Sequence, residues 1–176
     1  MEATVTVERL DGDAAREHRD ALADVLLDCV DGGASVSFMA PFTAGDAQAF
    51  FESIESEVET GKRILLAAFD GGELVGTVQI AAAWPPNQPH RADVAKLLVR
   101  RSARNRGVGR LLMEHAEAEA LAEGWTLLVL DTVTGDPAER LYERMGWTKV
   151  GVIPNYALYP DGRPCDTTVF WKALTD

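Results

Sequence analysis

Histidine and cysteine are scarce: the chain has three histidines and two cysteines in 176 residues. Cys29 and Cys165 are too few for a disulfide framework and are not spaced as a metal-ligand pair. His18, His90 and His115 are scattered, with no His-Glu-x-x-His run among them. No metal site is expected. Both thiols are read as reduced in a cytoplasmic protein, Cys29 on the apolar face of a helix. No apolar run approaches a membrane span, and Met1 to Thr4 opens neither a basic nor an apolar leader. Basic charge is also short: 17 Lys and Arg stand against 28 Asp and Glu, a formal net charge of -11. A nucleic-acid partner needs a basic face and is not expected. The acidic excess either attracts an amine-bearing substrate or serves solubility. Two phosphate motifs are missing as well. The only Gly-Lys, Gly61-Lys62-Arg63, lacks the Ser/Thr of a nucleotide P-loop. A dinucleotide fingerprint would need glycine at 112, where leucine stands.

The composition that remains is ordinary and globular, 47 % hydrophobic and 26 % charged. The length suits one domain, residues 1–176, with a full core. The cations that do exist gather between Arg100 and Arg110. There Val94, Leu97, Leu98 and Val99 read as a strand, and Arg104-Asn105-Arg106-Gly107-Val108-Gly109 runs into a helical pattern at Arg110-Leu111-Leu112-Met113. A glycine-rich turn between strand and helix presents unpaired N–H groups at the positive end of the helix dipole, an anion site made of main chain. Gly107 and Gly109 admit close approach, and Arg104, Arg106 and Arg110 add charge around them.

Around this stretch the pattern is mixed. Val5 to Leu10 alternates as a strand, and residues 14–31 read as one helix ended by Gly32-Gly33. Ala34 to Phe42 is a loop, and Thr43 to Glu59 is a second helix. Ile64 to Phe69 and Leu74 to Ala83 form a hairpin about Asp70-Gly71-Gly72-Glu73. Trp84 to Pro89 is a loop by its prolines. A helix from the glycine turn to about Glu123 precedes a buried strand, Trp125 to Leu130. Asp136 caps a helix with Pro137 in its first turn, which ends at Gly146. Strands at Trp147 to Val152 and Asp166 to Lys172 flank a long hairpin connection, Pro154 to Pro164. The count is about seven strands and four helices.

Arg104-x-x-Gly107-x-Gly109 in this setting resembles the acetyl-CoA pyrophosphate loop of the GNAT superfamily of N-acetyltransferases. Ala138-x-x-Leu141-Tyr142-x-x-Met145-Gly146-Trp147 resembles that family's second signature, a tyrosine-bearing helix closed by Gly-Phe or Gly-Trp. The likeness spans nearly the whole chain. It implies a mixed α/β fold, a mostly antiparallel seven-stranded sheet, and acetyl-CoA as co-substrate, with transfer to an amine. It further implies that two neighbouring strands splay at Lys96 to Val99 and Val129 to Asp131, leaving the first strand's backbone, at Lys96, Leu97, Leu98 and Val99, to bind the pantetheine arm. Residues 104 to 110 (Arg104, Asn105, Arg106, Gly107, Val108, Gly109, Arg110) would then hold the diphosphate.

In that frame Tyr142 is the candidate to protonate the leaving thiolate; otherwise it is an aromatic packed on the sheet. Asp131 either takes the amine's proton, anchors the ammonium, or caps its own loop. An N–H near Leu98 or Val99 would polarise the thioester oxygen. Phe38 and Met39 either wall the acceptor site or pack the core. Asp93 binds the amine or makes a structural bond. Tyr156, Tyr159 and Asp161 close over the acceptor or form a homodimer contact. A closer likeness is carried by His90-Arg91-Ala92-Asp93-Val94, Leu130-Asp131-Thr132 and Pro160-Asp161-Gly162-Arg163. It is to the tabtoxin-resistance group of small-molecule acetyltransferases, and implies a small amino-acid-like or antibiotic-like acceptor.

Overall fold

A computed structural model describes residues 4–175; the leader reading of Met1 to Ala3 falls outside them. Seven strands make one sheet in the order β1-β2-β3-β4-β5-β7-β6. They are β1 (Thr6–Leu10), β2 (Arg63–Asp70), β3 (Glu73–Ala82), β4 (Arg91–Val99), β5 (Leu127–Val133), β6 (Thr148–Leu158) and β7 (Pro164–Ala173). Every neighbouring pair is antiparallel except β4 and β5. The expected mixed α/β architecture and seven-stranded sheet are therefore present.

Five α-helices accompany the sheet rather than the four expected: α1 (Gly12–Glu17), α2 (Arg19–Asp31), α3 (Ala44–Glu59), α4 (Val108–Ala122) and α5 (Pro137–Arg144). The difference is a break at His18, which ends α1 and starts α2 with φ -92 and ψ 7. Its ring packs edge-on against Phe69, 5.2 Å between centroids. Packing on the sheet overrides a periodicity that runs through the break.

Period-two alternation sorts the strand residues onto two faces. Ile64, Leu66 and Ala68 of β2 join a core with Leu112, Met113 and Ala116 of α4. Leu65 and Ala67 point the other way, to Leu22, Leu26 and Phe51 of α2 and α3. Helix α3 starts as its sequence suggests: Thr43 and Asp46 form a reciprocal capping box. Gly76 on β3 lets α4 sit close, since a Cβ there would lie 3.0 Å from the Leu98 carbonyl and 3.1 Å from Leu112.

Three boundaries differ from expectation. The buried strand is Leu127–Val133, so Trp125 packs in the core just before it. Strands β6 and β7 extend until only residues 159–163 join them, so the long connection shrinks to a tight hairpin. Pro154 sits inside β6, an edge strand, where its missing N–H costs no ladder bond. Asp136 holds the cap position of α5 but makes no cap bond. Glu139 reaches back instead, accepting from the Gly135 N–H at 2.6 Å.

Candidate active site

The site begins with a fault in the sheet. Strands β4 and β5 pair only from Arg91 to Asp93, against Leu127 to Val129. Beyond Asp93 they part. On its other side, β4 bulges: Thr77 faces Leu98 and Gln79 faces Ala95, so Lys96 and Leu97 together oppose Val78. Lys96 takes φ +54 to make that turn. The gap opens into a cavity of about 950 Å³. Val94 to Val99 form one wall and Asp131 to Val133 the other, with Tyr142 and Leu141 of α5 alongside.

At one end of the cavity lies the glycine turn. Gly107 has φ +81 and precedes α4 without a side-chain cap; Asn105 has φ +61. Among the described residues no carbonyl or side chain accepts from the N–H groups of residues 105 to 110. Six consecutive amides at a helix N-terminus are thus left for an outside anion. A Cβ built on Gly107 would meet nothing within 4 Å, so the space before it is open. The three arginines differ in what they do. Arg104 lines the cavity, where its Nε donates to the Val99 carbonyl at 3.1 Å. Arg106 turns away to Asp70 at 2.8 Å, and Arg110 pairs with Glu114 at 2.8 Å.

Tyr142 is buried, with its ring 5.9 Å from those of Trp147 and Phe170. Burial, and secondarily the Asp131 carboxylate, push its phenol well above the ordinary value of 10.0. It is therefore a neutral hydroxyl across the physiological range. Asp131 stands at the mouth of the splay, its Oδ2 accepting from Thr167 Oγ1 at 2.8 Å. Asp136 also lines the cavity, and burial raises its carboxyl while Arg104 works against the rise.

Of the residues singled out from sequence, the cavity gathers Leu97, Leu98, Val99, Arg104, Asn105, Gly107, Val108, Gly109, Arg110, Asp131, Tyr142 and Tyr159. Six lie outside its lining, Tyr156 of β6 and Asp161 of the β6–β7 hairpin among them. Arg106 is another. Phe38 packs on Phe42 and Phe50, at 4.7 and 5.3 Å between centroids. Met39 is exposed on the loop. Asp93 pairs with Arg91 at 2.5 Å. The 34–42 loop contributes Ser35, Val36 and Ser37 to the wall instead. It is tied to the β6–β7 hairpin by Ser35 Oγ donating to the Leu158 carbonyl at 2.7 Å and the Ala40 N–H to the Pro160 carbonyl at 3.0 Å.

Sequence reasoning gave the Lys96 side chain no role and read Cys29 as core, yet both residues line the cavity. Lys96 had a signal: it is the lone charge inside the apolar run Val94 to Val99. Cys29 had none, because a cavity thiol and a core thiol look alike on a helix face. Its sulfur donates to the Val99 carbonyl at 3.5 Å, and burial raises its pKa.

Solved structures share this arrangement of strands and helices. An N-acetyltransferase from Staphylococcus aureus Mu50 superposes with a TM-score of 0.81 at 18 % identity, covering 98 % of this chain and 100 % of that one. A protein provisionally assigned as a phosphinothricin N-acetyltransferase gives 0.81 at 20 %, with the same coverage. A provisionally assigned acetyltransferase from Salmonella typhimurium, solved with its cofactor acetyl-CoA, gives 0.79 at 17 %, covering 99 % and 96 %. At these identities the likeness is one of fold. The acetyltransferase (GNAT) family model matches residues 34–147, from the loop at the cavity wall through the glycine turn to Trp147. On that match, this chain belongs to the GNAT family of acetyltransferases.

Proposed function

We propose that the chain, acting as a single domain over residues 1–176 in the cytoplasm, transfers an acetyl group from acetyl-CoA to the primary amine of a small molecule by direct attack. The observation that carries this reading is the run of six free amides opening on a cavity where β4 and β5 have parted. A diphosphate suits the amides, with Arg104 beside them. A flexible arm suits the exposed edge of β4 at Leu97 to Val99, whose peptide groups would pair with it as a strand does.

The remaining residues divide the chemistry. Asp131 holds the incoming ammonium and draws off its proton, directly or through water, so that a neutral amine attacks the carbonyl carbon. An N–H of the β4 bulge near Leu98 or Val99 stabilises the charge that grows on the carbonyl oxygen. As the C–N bond forms and the C–S bond breaks, the Tyr142 hydroxyl gives its proton to the sulfur, and the proton shed by the acetylated nitrogen returns to Tyr142 through solvent. The raised phenol pKa keeps the hydroxyl protonated until the thiolate departs.

The likeness to the tabtoxin-resistance group and to the phosphinothricin-assigned fold relative favours an amino-acid-like, antibiotic-like or toxin-like acceptor. Acetylation of a protein or peptide is the second reading. One neighbour of similar fold is a ribosomal-protein-alanine N-acetyltransferase from Brucella melitensis, at 20 % identity and a TM-score of 0.79. The test follows thiol release from acetyl-CoA against amines, amino acids, aminoglycosides and peptides. Turnover of one small-amine class is expected. Coenzyme A binding with no turnover of any amine or peptide would instead make this a binding module.

A further inference from the structure

We infer that Lys96 is the specificity residue of the acceptor end, and that it selects amines bearing a neighbouring carboxylate or similar anion over plain amines and polycations. The inference rests on the acetyltransferase reading above and concerns the far side of the same cavity.

Lys96 is half-buried at the β4 bulge and lines the cavity. Its Nζ donates to Ser37 Oγ at 2.9 Å and lies 5.8 and 5.7 Å from the centres of the Phe38 and Phe50 rings. Among the described residues no carboxylate pairs with it at ion-pair distance. The other charges that reach it are Arg63, which repels, and Asp131, which attracts from across the cavity. Arg63 is itself held by Glu57 and Gln79. A partly desolvated ammonium with a hydroxyl and two aromatic faces for company lacks a counter-ion. An anion arriving in the cavity supplies one.

The backbone points the same way. Lys96 has φ +54 and Ser37 has φ +85, both in the left-handed region that non-glycine residues seldom occupy. These two strained residues hydrogen-bond to each other and both line the cavity. Strain of this kind persists where surrounding structure enforces it, and it concentrates at ligand sites. Ser37 is exposed, so its conformation is not needed to fill a core, and that of Lys96 is the β4 bulge that turns its side chain to the cavity.

Asp131 and Lys96 thus offer the cavity one anion and one cation. A zwitterion with amine and acid a few atoms apart satisfies both. A diamine satisfies Asp131 but leaves a second cation facing Lys96. The residue binds rather than reacts, so its effect belongs in acceptor KM and in the choice between acceptors.

The experiment compares matched acceptors with acetyl-CoA: methionine against methioninamide, and ornithine against putrescine. In the wild type, kcat/KM is expected to favour the acid of each pair by about tenfold to a hundredfold, the range of one charge-assisted hydrogen bond. Lys96→Met should erase that ratio through acceptor KM while leaving acetyl-CoA KM unchanged, which also reports a folded cofactor end. Lys96→Arg should keep the preference, and Lys96→Glu should turn it toward putrescine. Equal use of acid and amide by the wild type, or an unchanged ratio in Lys96→Met, would overturn the inference while leaving an acetyltransferase. Absence of turnover with every amine would remove the acetyltransferase reading, and this inference with it.

Discussion

A tyrosine sealed against Trp147 and Phe170 is a poor place for a phenolate, and that single fact shapes the expected chemistry. Burial first, and Asp131 second, hold the Tyr142 proton on beyond the ordinary value of 10.0. A raised folded-state pKa keeps the neutral form throughout the range below the unfolded value. The proposed proton donor is therefore protonated at neutral and at mildly alkaline pH. Removing only the oxygen, in Tyr142→Phe, should lower kcat by about a hundredfold or more while acetyl-CoA KM stays near the wild-type value. Steady-state kinetics decides it, and full activity in that variant would release Tyr142 from the mechanism. A kcat–pH profile gives a second check: no alkaline fall is expected up to pH 10, at which an unperturbed phenol would be half ionised.

Among the elements, α5 is the one whose position matters most, because it carries Tyr142 and is only eight residues long. A helix this short depends on its anchors. Glu139 is the main one. It is buried and accepts from the Gly135 N–H at 2.6 Å, Thr168 Oγ1 at 3.0 Å and Lys149 Nζ at 3.3 Å. The Gly135 bond is the chief reason its carboxyl lies below the ordinary 4.5. A depressed folded-state pKa means that the stabilisation is complete above the unfolded value and fades as pH falls through the folded one. Glu139→Ala should cost about 2–3 kcal/mol, since three donors lose their acceptor. Thermal melts should show a clear gap between Glu139→Gln and wild type at pH 7 that narrows below about pH 4. A gap independent of pH would mean that the charge contributes nothing.

The same scale shows what was legible in the sequence. Apolar runs about Asp70-Gly71-Gly72-Glu73 marked the β2–β3 hairpin, and glycine marked the ends of most helices. The two motifs located the glycine turn at the cavity and the α5 tyrosine beside it. What stayed hidden arises between elements. At the break His18 packs on Phe69, far along the chain. The β4 bulge exists only as a mismatch of register with β3, so Lys96 looked like a strand residue rather than a cavity wall. Asp136 read as a helix cap, but its carboxylate lies along the cavity while Glu139 serves the turn. For Phe38 and Met39 the sequence leaves acceptor wall and core open; Phe38 packs on Phe42 and Phe50, and Ser37 beside it accepts from Lys96.

For the molecule as a whole, charge and topology act together. A chain of net charge -11 has five arginines between Arg100 and Arg110; Arg104 and Arg110 line the cavity at the helix start, while Arg100, Arg101 and Arg106 pair with Glu73, Asp28 and Asp70. The sheet parts next to that start, so an anion held by the turn directs whatever it carries into the cavity. Everything proposed for Tyr142, Asp131 and Lys96 presumes that grip. Calorimetric titration of acetyl-CoA into wild type, Gly107→Asn and Gly107→Asp tests it most directly. Asn and Asp have the same shape and both tolerate the left-handed backbone at φ +81, so they differ chiefly in charge. The account predicts measurable binding by the wild type, weaker binding by the Asn variant, and loss of at least about a hundredfold more in the Asp variant, whose carboxylate would face the diphosphate. Equal affinity of the Asp and Asn variants would contradict it.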